Sequence, residues 1–499
     1  MEHADTAQLA AVGGALGAVL VLLPFGRAAR PVLVLGLALL AGVELALAWA
    51  LGGGLLDRLS GATGVAALVL GLAAVLAAAA AFVRWPAVVP LAVLVTAPLR
   101  PPLSFDSSST FLVQIANDGR LGRLLPLYFV LAAASTALGW RALRGNDLRA
   151  LPGTIAFPAA AFFAFACCSL LWADDVEAGA NLLLFFTLPF AALLASVARA
   201  DYRDWTPRWL AGLALGMGAI FATVGLWQAA THKLFFYAPN LAASNANTDY
   251  FRVTSLFGDP SLYGRHVMLG LGVALTMLAT RRWRTWPLIG LIVLMWAGLL
   301  FSYSQSSMIA LLVVTLALAV ATGDARIRRG VAVLAAAALL ATCAYVAVQV
   351  ADGKSLNRIT SDRTERVQDA TRVIKHHPVV GVGIGGQPRA SRRLAHSDRP
   401  TLNFVSHTTP LTVFAELGAI GLALYAWLLV AAAVLIWRVT RRDQALGLAL
   451  GASLLGLFVH ALFYSGFIED PLTWLVIGLA AAYGGAPLVA ERKPGVAAA

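Results

Sequence analysis

Apolar residues in this chain come in unbroken blocks of about 20, separated by short polar turns. A helix rising about 1.5 Å per residue needs roughly 20 such residues to cross a hydrocarbon layer about 30 Å thick. Backbone polar groups in a bilayer must be satisfied internally, so only helices and closed barrels can span it. Barrel strands alternate apolar and polar residues, whereas Val65–Val83 and Val331–Val350 do not. The pattern therefore predicts an all-α polytopic membrane protein with about fourteen or fifteen transmembrane helices. They fall near 8–25, 31–51, 63–83, 86–98, 124–140, 154–172, 179–198, 209–230, 261–280, 286–303, 306–322, 330–350, 408–436, 444–466 and 471–488. The block 86–98 is short and flanked by prolines, so a full crossing is not required of it. Leu9–Phe25 follows Glu2 and Asp5 rather than a basic segment, so it reads as a retained helix and not as a cleaved signal.

Composition agrees. The chain is 60% hydrophobic and only 12% charged, with a mean hydropathy of +0.78; soluble domains carry about 25% charged residues. The net charge of +12 raises the question of nucleic acid, but the basic residues sit between the apolar blocks. The implied partner is the lipid bilayer, with no nucleic acid. Cys167, Cys168 and Cys343 lie inside apolar blocks, with no disulfide framework and no metal-ligand spacing, so no metal or cofactor is read from the cysteines.

Arginine and lysine also orient the spans. Alternate loops carry them: Arg27 and Arg30; Arg84; Arg141, Arg144 and Arg149; Arg199, Arg203 and Arg208; Arg281, Arg282 and Arg284; Arg326, Arg328 and Arg329; Arg438, Arg441 and Arg442; Arg492 and Lys493. The short loops between are poor in them. The expected topology is a multi-pass bacterial inner-membrane protein with an outside N-terminus and its longer loops exported. Residues 1–350 then form twelve spans, 351–406 an extracytoplasmic basic subdomain and 407–499 the last spans. The subdomain has ten Lys/Arg residues against five Asp/Glu, a surplus of five on the outer face. An anionic partner there would explain it; so would a long loop whose charge does not influence export. Within it, Thr360–His377 has the periodicity of an amphipathic helix, stopped by Pro378, and Gly381–Gly386 is a turn through which backbone can approach a ligand or another helix.

Candidate chemistry gathers around these exported loops. Arg252, at the outer mouth of a span, presents a planar donor fork suited to phosphate, or simply snorkels at the interface. Arg363 and Arg366 are three apart and share a helix face; they are anion ligands or a solvated charged face. His407, where the basic loop meets a long apolar helix, can accept a proton near neutral pH, or serve as a cap. Glu416 lies two and a half turns further along that helix. An acid within a span is a functional candidate by default, here more in keeping with a structural network. His266, His460, Asp174 and Asp175 read the same way.

Four segments, taken in order, resemble the O-antigen ligase and O-antigen polymerase superfamily. Arg252–Pro260 is similar to an Arg-x-x-Gly/Ser-x-Phe-x-(Asp/Asn)-Pro helix start. Phe301–Ser307 is similar to the Thr-x-Ser-Arg turn, with Gln305 where Arg is usual. Arg363–Gly383 is similar to the Arg-Thr…His-Pro-x-x-Gly-x-Gly loop, with Gln368 near the usual Trp. His407–Gly421 is similar to His-Asn-x-x-Leu…Glu-x-Gly-x-x-Gly, with Thr408 for Asn. The resemblance implies a GT-C-like, metal-independent membrane glycosyltransferase acting at the outer face, with a glycan on undecaprenyl diphosphate as donor and a glycan or glycolipid hydroxyl as acceptor. It implies an inverting transfer in which His407 is the base and Arg252 and Arg363 bind diphosphate. Arg366, Gln305, Arg265, Tyr263 and Glu416 are further substrate-binding candidates. The alternatives are a polysaccharide polymerase of the same superfamily and, in another class, a flippase or transporter for lipid-linked glycans. The latter predicts internal repeats and central charges; the sequence offers no evident repeat and little beyond Glu416. A purely structural protein would give no reason for the layout of Arg252, Arg363 and His407 at one face, a layout that itself rests on the family resemblance.

Overall fold

A computed structural model describes residues 3–23, 30–52, 61–99, 124–145, 148–235, 239–248, 250–323, 325–326, 328–330, 333, 363–397 and 399–485. Apart from Gly330 and Val333, the expected span at 330–350 lies outside them, as do the exported segment 100–123 and the first part of the basic loop.

The described elements are helical. In chain order they are α1 (Ala4–Leu22), α2 (Arg30–Leu51), α3 (Ala62–Arg84), α4 (Val89–Thr96), α5 (Leu125–Leu143), α6 (Gly153–Cys168), α7 (Val176–Ala198), α8 (Thr206–Thr231), α9 (Pro239–Ala246), α10 (Pro260–Ala279), α11 (Thr285–Ser302), α12 (Gln305–Thr322), α13 (Arg363–His376), α14 (Gln387–Ala395), α15 (Thr409–Arg442), α16 (Gln444–Ala461) and α17 (Pro471–Gly484). Among the described residues, 11 helices are long and apolar enough to cross a membrane. The block at 86–98 becomes the short α4, preceded by one 3-10 turn, and the last apolar block becomes the 14-residue α17. The molecule is thus an all-α polytopic membrane protein.

The helices sort into two packed groups. One core joins α1, α2, α5, α6, α7, α15 and α17; the other joins α8, α10, α11 and α12. Helix α16 touches both, packing on α15 and α17 as well as on α10 and α12. Small residues allow the close approaches on which association in lipid depends. A Cβ on Gly36 would come within 2.8 Å of Leu20 and Val21, and one on Gly298 within 2.8 Å of Ala222.

The arginine-bearing loops meet at one end. Arg141 and Arg149 both approach Asp201, Arg282 lies 3.1 Å from Asp443, and Arg199 and Arg442 donate to the carbonyls of Leu23 and Tyr483. The loops at 172–176, 250–259, 303–304, 363–408 and 462–470 meet at the other end.

Candidate functional site

At that second end, the long helix α15 is broken near its start. Gly418 has φ 65° and ψ −168°, a backbone conformation essentially reserved for glycine. The break frees backbone groups that an unbroken helix would use internally. Residues 378–383 satisfy them: Val382 and Gly383 donate to the carbonyls of Ala415 and Glu416 (3.1 and 2.8 Å), and Ala419 and Ile420 donate to those of Pro378 and Val379 (2.9 and 3.2 Å). The glycine turn fits only because it lacks side chains. A Cβ on Gly383 would sit 2.3 Å from Ala173, and one on Gly418 2.2 Å from the Val379 carbonyl. The buried Glu416 carboxyl group lies against the backbone N–H groups of Gly385 and Gln387. Asp174 closes the other side, donating its N–H to Val382 and accepting from Arg393 at 2.8 Å. Glu416 and the glycine turn therefore form a lock that holds the basic loop against the membrane helices.

The lock sets α13 beside His407. That residue occupies a left-handed backbone conformation (φ 57°) just ahead of α15. Its ring lies nearly parallel to that of Tyr464, with centroids 6.2 Å apart. Burial first, then the positive charges of Arg366 and Arg363, push its pKa down to about 4. The imidazole is therefore neutral at physiological pH and its Nδ1 has no hydrogen-bond partner among the described residues.

The arginines of the loop divide by partner. Arg372 lies 2.8 Å from Asp369, Arg393 pairs with Asp174, and Arg399 pairs with Glu365 and reaches Asp369 at 3.5 Å. Arg363 instead lies over the Phe463 ring at 5.7 Å; Arg366 lies over Phe404 at 5.2 Å and has a further partner besides. A cation over an aromatic face gains roughly 0.5–2 kcal/mol without neutralisation of its charge. Partial burial lowers the pKa of Arg363, so its charge is incompletely solvated and receptive to an anion.

Arg252 belongs to the other helix group. Its Nε donates to the Ser302 carbonyl at 3.4 Å, and Asn245 anchors its backbone on both sides, through its N–H and its carbonyl. No carboxylate among the described residues lies within ion-pair distance of Arg252 or Arg363. Arg252 connects to His407 through a chain of contacts rather than directly. The Ser302–Ser304 turn leads to Ser306, whose hydroxyl lies 3.2 Å from His460 Nε2; the His460 ring is 5.5 Å from Tyr464, which stacks on His407.

The remaining sequence candidates sit elsewhere. Tyr263 is fully buried, its hydroxyl wedged where a Cβ on Gly225 would come within 2.2 Å. Arg265 is buried in an ion pair with Asp470, with its guanidinium 5.7 Å from the Tyr464 ring. Gln305 is exposed at the start of α12, beside Tyr303, whose ring faces Tyr250 at 4.7 Å. Phe463 and Tyr464, which bring the site's two halves together, carry no sequence signal of their own. Only knowing that the end of α16 abuts His407 would have marked them.

The family model described as O-antigen ligase matches residues 290–426. Over that stretch the chain is similar to the O-antigen ligase family, which supports kinship with the O-antigen ligase and polymerase superfamily. It covers most of α11, all of α12 to α14 and the start of α15, and so includes Gln305, Arg363, Arg366, His407 and Glu416. Arg252, Tyr263 and Arg265 precede it. The O-antigen ligase match thus coincides with the lock and with the His407–Arg363 pair, the region where the loop is fixed to the bundle. No curated protein matches the chain.

Proposed function

We propose that this protein is a glycosyltransferase of the O-antigen ligase type, working at the extracytoplasmic face of the bacterial cytoplasmic membrane. Its donor is a glycan on undecaprenyl diphosphate, and its acceptor is a hydroxyl of a glycan or glycolipid. The observation that carries this reading is the grouping of a neutral, half-buried His407 with Arg363, a cation that has no carboxylate partner among the described residues, at the end of the bundle opposite the inter-span arginine loops. The inside-positive rule places those loops in the cytoplasm, and the His407 end outside.

The chemistry follows from charge. As the bond from the anomeric carbon to the phosphate oxygen breaks, its electron pair stays with the diphosphate. Arg363 and Arg252 stabilise that developing charge, each in the range of about 3–4 kcal/mol typical of a positioned donor. The acceptor oxygen forms the new bond from the opposite face, and His407 takes its proton. Direct displacement inverts the anomeric configuration. His407 is suited to the role because burial, and then two neighbouring arginines, keep it unprotonated, although the same effects weaken it as a base. The diphosphate offsets that effect when it binds, since its negative charge raises the imidazole pKa. No step calls for a metal.

The test is transfer in vitro from undecaprenyl-diphosphate-linked glycan to candidate acceptors in the presence of EDTA, with wild type beside His407→Ala. Transfer by wild type alone supports the assignment, and the acceptor that works separates ligase from polymerase. Equal transfer by the variant removes His407 from the mechanism. Donor binding without transfer to any acceptor favours a transporter.

A further inference from the structure

A groove of about 1290 Å³ opens between the two helix groups, at the end opposite His407. Leu450, Leu475 and Leu479 line one side, and Val273, Met277 and Leu291 the other. Along α16 its lining runs from Ala445 to Leu457. At about 1.5 Å per residue that is a depth of roughly 18 Å, close to one leaflet's share of a hydrocarbon core about 30 Å thick. Its mouth is different in kind. Trp205, Trp209 and Trp283 stand there with Arg208, Arg282 and Arg284. Arg282 is held by Asp443 at 3.1 Å, while Asp204 also lines the mouth. Arg208 and Arg284 are exposed and have no carboxylate within ion-pair distance among the described residues.

An apolar cleft in a membrane protein fills with hydrocarbon rather than water. Tryptophan belongs at the headgroup level, and basic pockets between helices on the cytoplasmic side favour anionic headgroups. We propose that this groove is a binding site for an anionic phospholipid. Its acyl chains lie between the two helix groups, and its phosphodiester is held by Arg208 and Arg284. The lipid completes the contact between the group that carries Arg252 and the group that carries His407. This inference does not depend on the glycosyltransferase reading.

The experiment is native mass spectrometry of the full chain in mild detergent, with phosphatidylglycerol or phosphatidylcholine of identical acyl chains. The expected result is at least tenfold greater retention of phosphatidylglycerol, together with a higher thermal midpoint in its presence. The double variant Arg208→Gln/Arg284→Gln loses that preference. Should it fail to fold, Ala449→Trp, which fills the groove and leaves the arginines intact, loses the lipid instead. Equal retention of the two lipids by wild type overturns the proposal, as does a preference that survives the arginine changes. Displacement of phosphatidylglycerol by a polyprenyl phosphate also overturns it and gives the groove to a long-chain lipid.

Discussion

Both ends of the helical bundle are rich in arginine, and each holds most of it in pairs while leaving a few side chains without a carboxylate among the described residues, Arg208 and Arg284 at one end and Arg252 and Arg363 at the other. At the cytoplasmic end of the proposed topology, Arg141, Arg149 and Arg282 face carboxylates while Arg199 and Arg442 cap carbonyls. At the other end, Arg372, Arg393 and Arg399 are likewise paired, but Arg363 lies over an aromatic ring, and the Arg252 guanidinium meets a serine carbonyl and no carboxylate among the described residues. Surface ion pairs contribute little, about 0–1 kcal/mol each. Their use here is to fix loops in place. A cation given no carboxylate has its charge left for something else. Counting basic residues does not find a ligand site; sorting them by partner does.

That contrast can be broken most sharply at His407. His407→Ala should lower transfer by about 10²–10⁴-fold while the protein still inserts and keeps its thermal midpoint, as a single-turnover assay beside a melting curve would show. Arg363→Ala and Arg252→Ala should each cost about 10²–10³-fold in kcat, and Lys at either position should restore only part, because it lacks the fork. Equal losses on replacing Arg372 or Arg393 would erase the distinction between paired and unpaired arginines.

The pH profile sharpens it further. With the His407 pKa held near 4, kcat/KM of wild type should stay level from neutral down to about pH 5 and fall as the imidazole protonates. Arg366→Gln removes one positive neighbour, so protonation becomes easier and the acid limb should move upward, toward the ordinary histidine value near 6.5. A limb that moves downward would contradict the electrostatic account.

Gly418→Ala probes the lock instead of the chemistry. A side chain at φ 65° costs about 1–2 kcal/mol, and the added Cβ would collide with the Val379 carbonyl. The expected result is a lower thermal midpoint and faster proteolysis between 351 and 406, with loss of activity following from loss of placement. The smallest effect should come from Arg282→Gln. It breaks an exposed pair and should change stability by less than about 1 kcal/mol, with transfer unaltered.

Much of this was legible in the sequence. Blocks of about 20 apolar residues gave spans at 31–51, 209–230 and 306–322, against helices Arg30–Leu51, Thr206–Thr231 and Gln305–Thr322. The amphipathic period over Thr360–His377 meets helix Arg363–His376. Other features were not legible. The last long helix runs on to Arg442, beyond the apolar block ending near 436, because its final turns leave the membrane and Arg441 and Arg442 favour a helix C-terminus. The helix at Gln387–Ala395 was unforeseen, since its residues are polar and its partners are supplied by the loop around it.

Sequence alone determined that the chain is a helical membrane protein, which residues it buries in lipid, and where its chemistry-bearing side chains are concentrated. Those follow from local rules: hydrocarbon excludes free backbone groups, and apolar length sets what can span. Tertiary structure decided which of those side chains act together. Glu416 and Gly418 look like part of a helix in the sequence, yet they fasten a loop from 33 to 41 residues earlier; Arg265 looks like a ligand, yet it is consumed by Asp470. Whether a charged group is held or available depends on what lies across from it, and that is fixed only when distant segments pack.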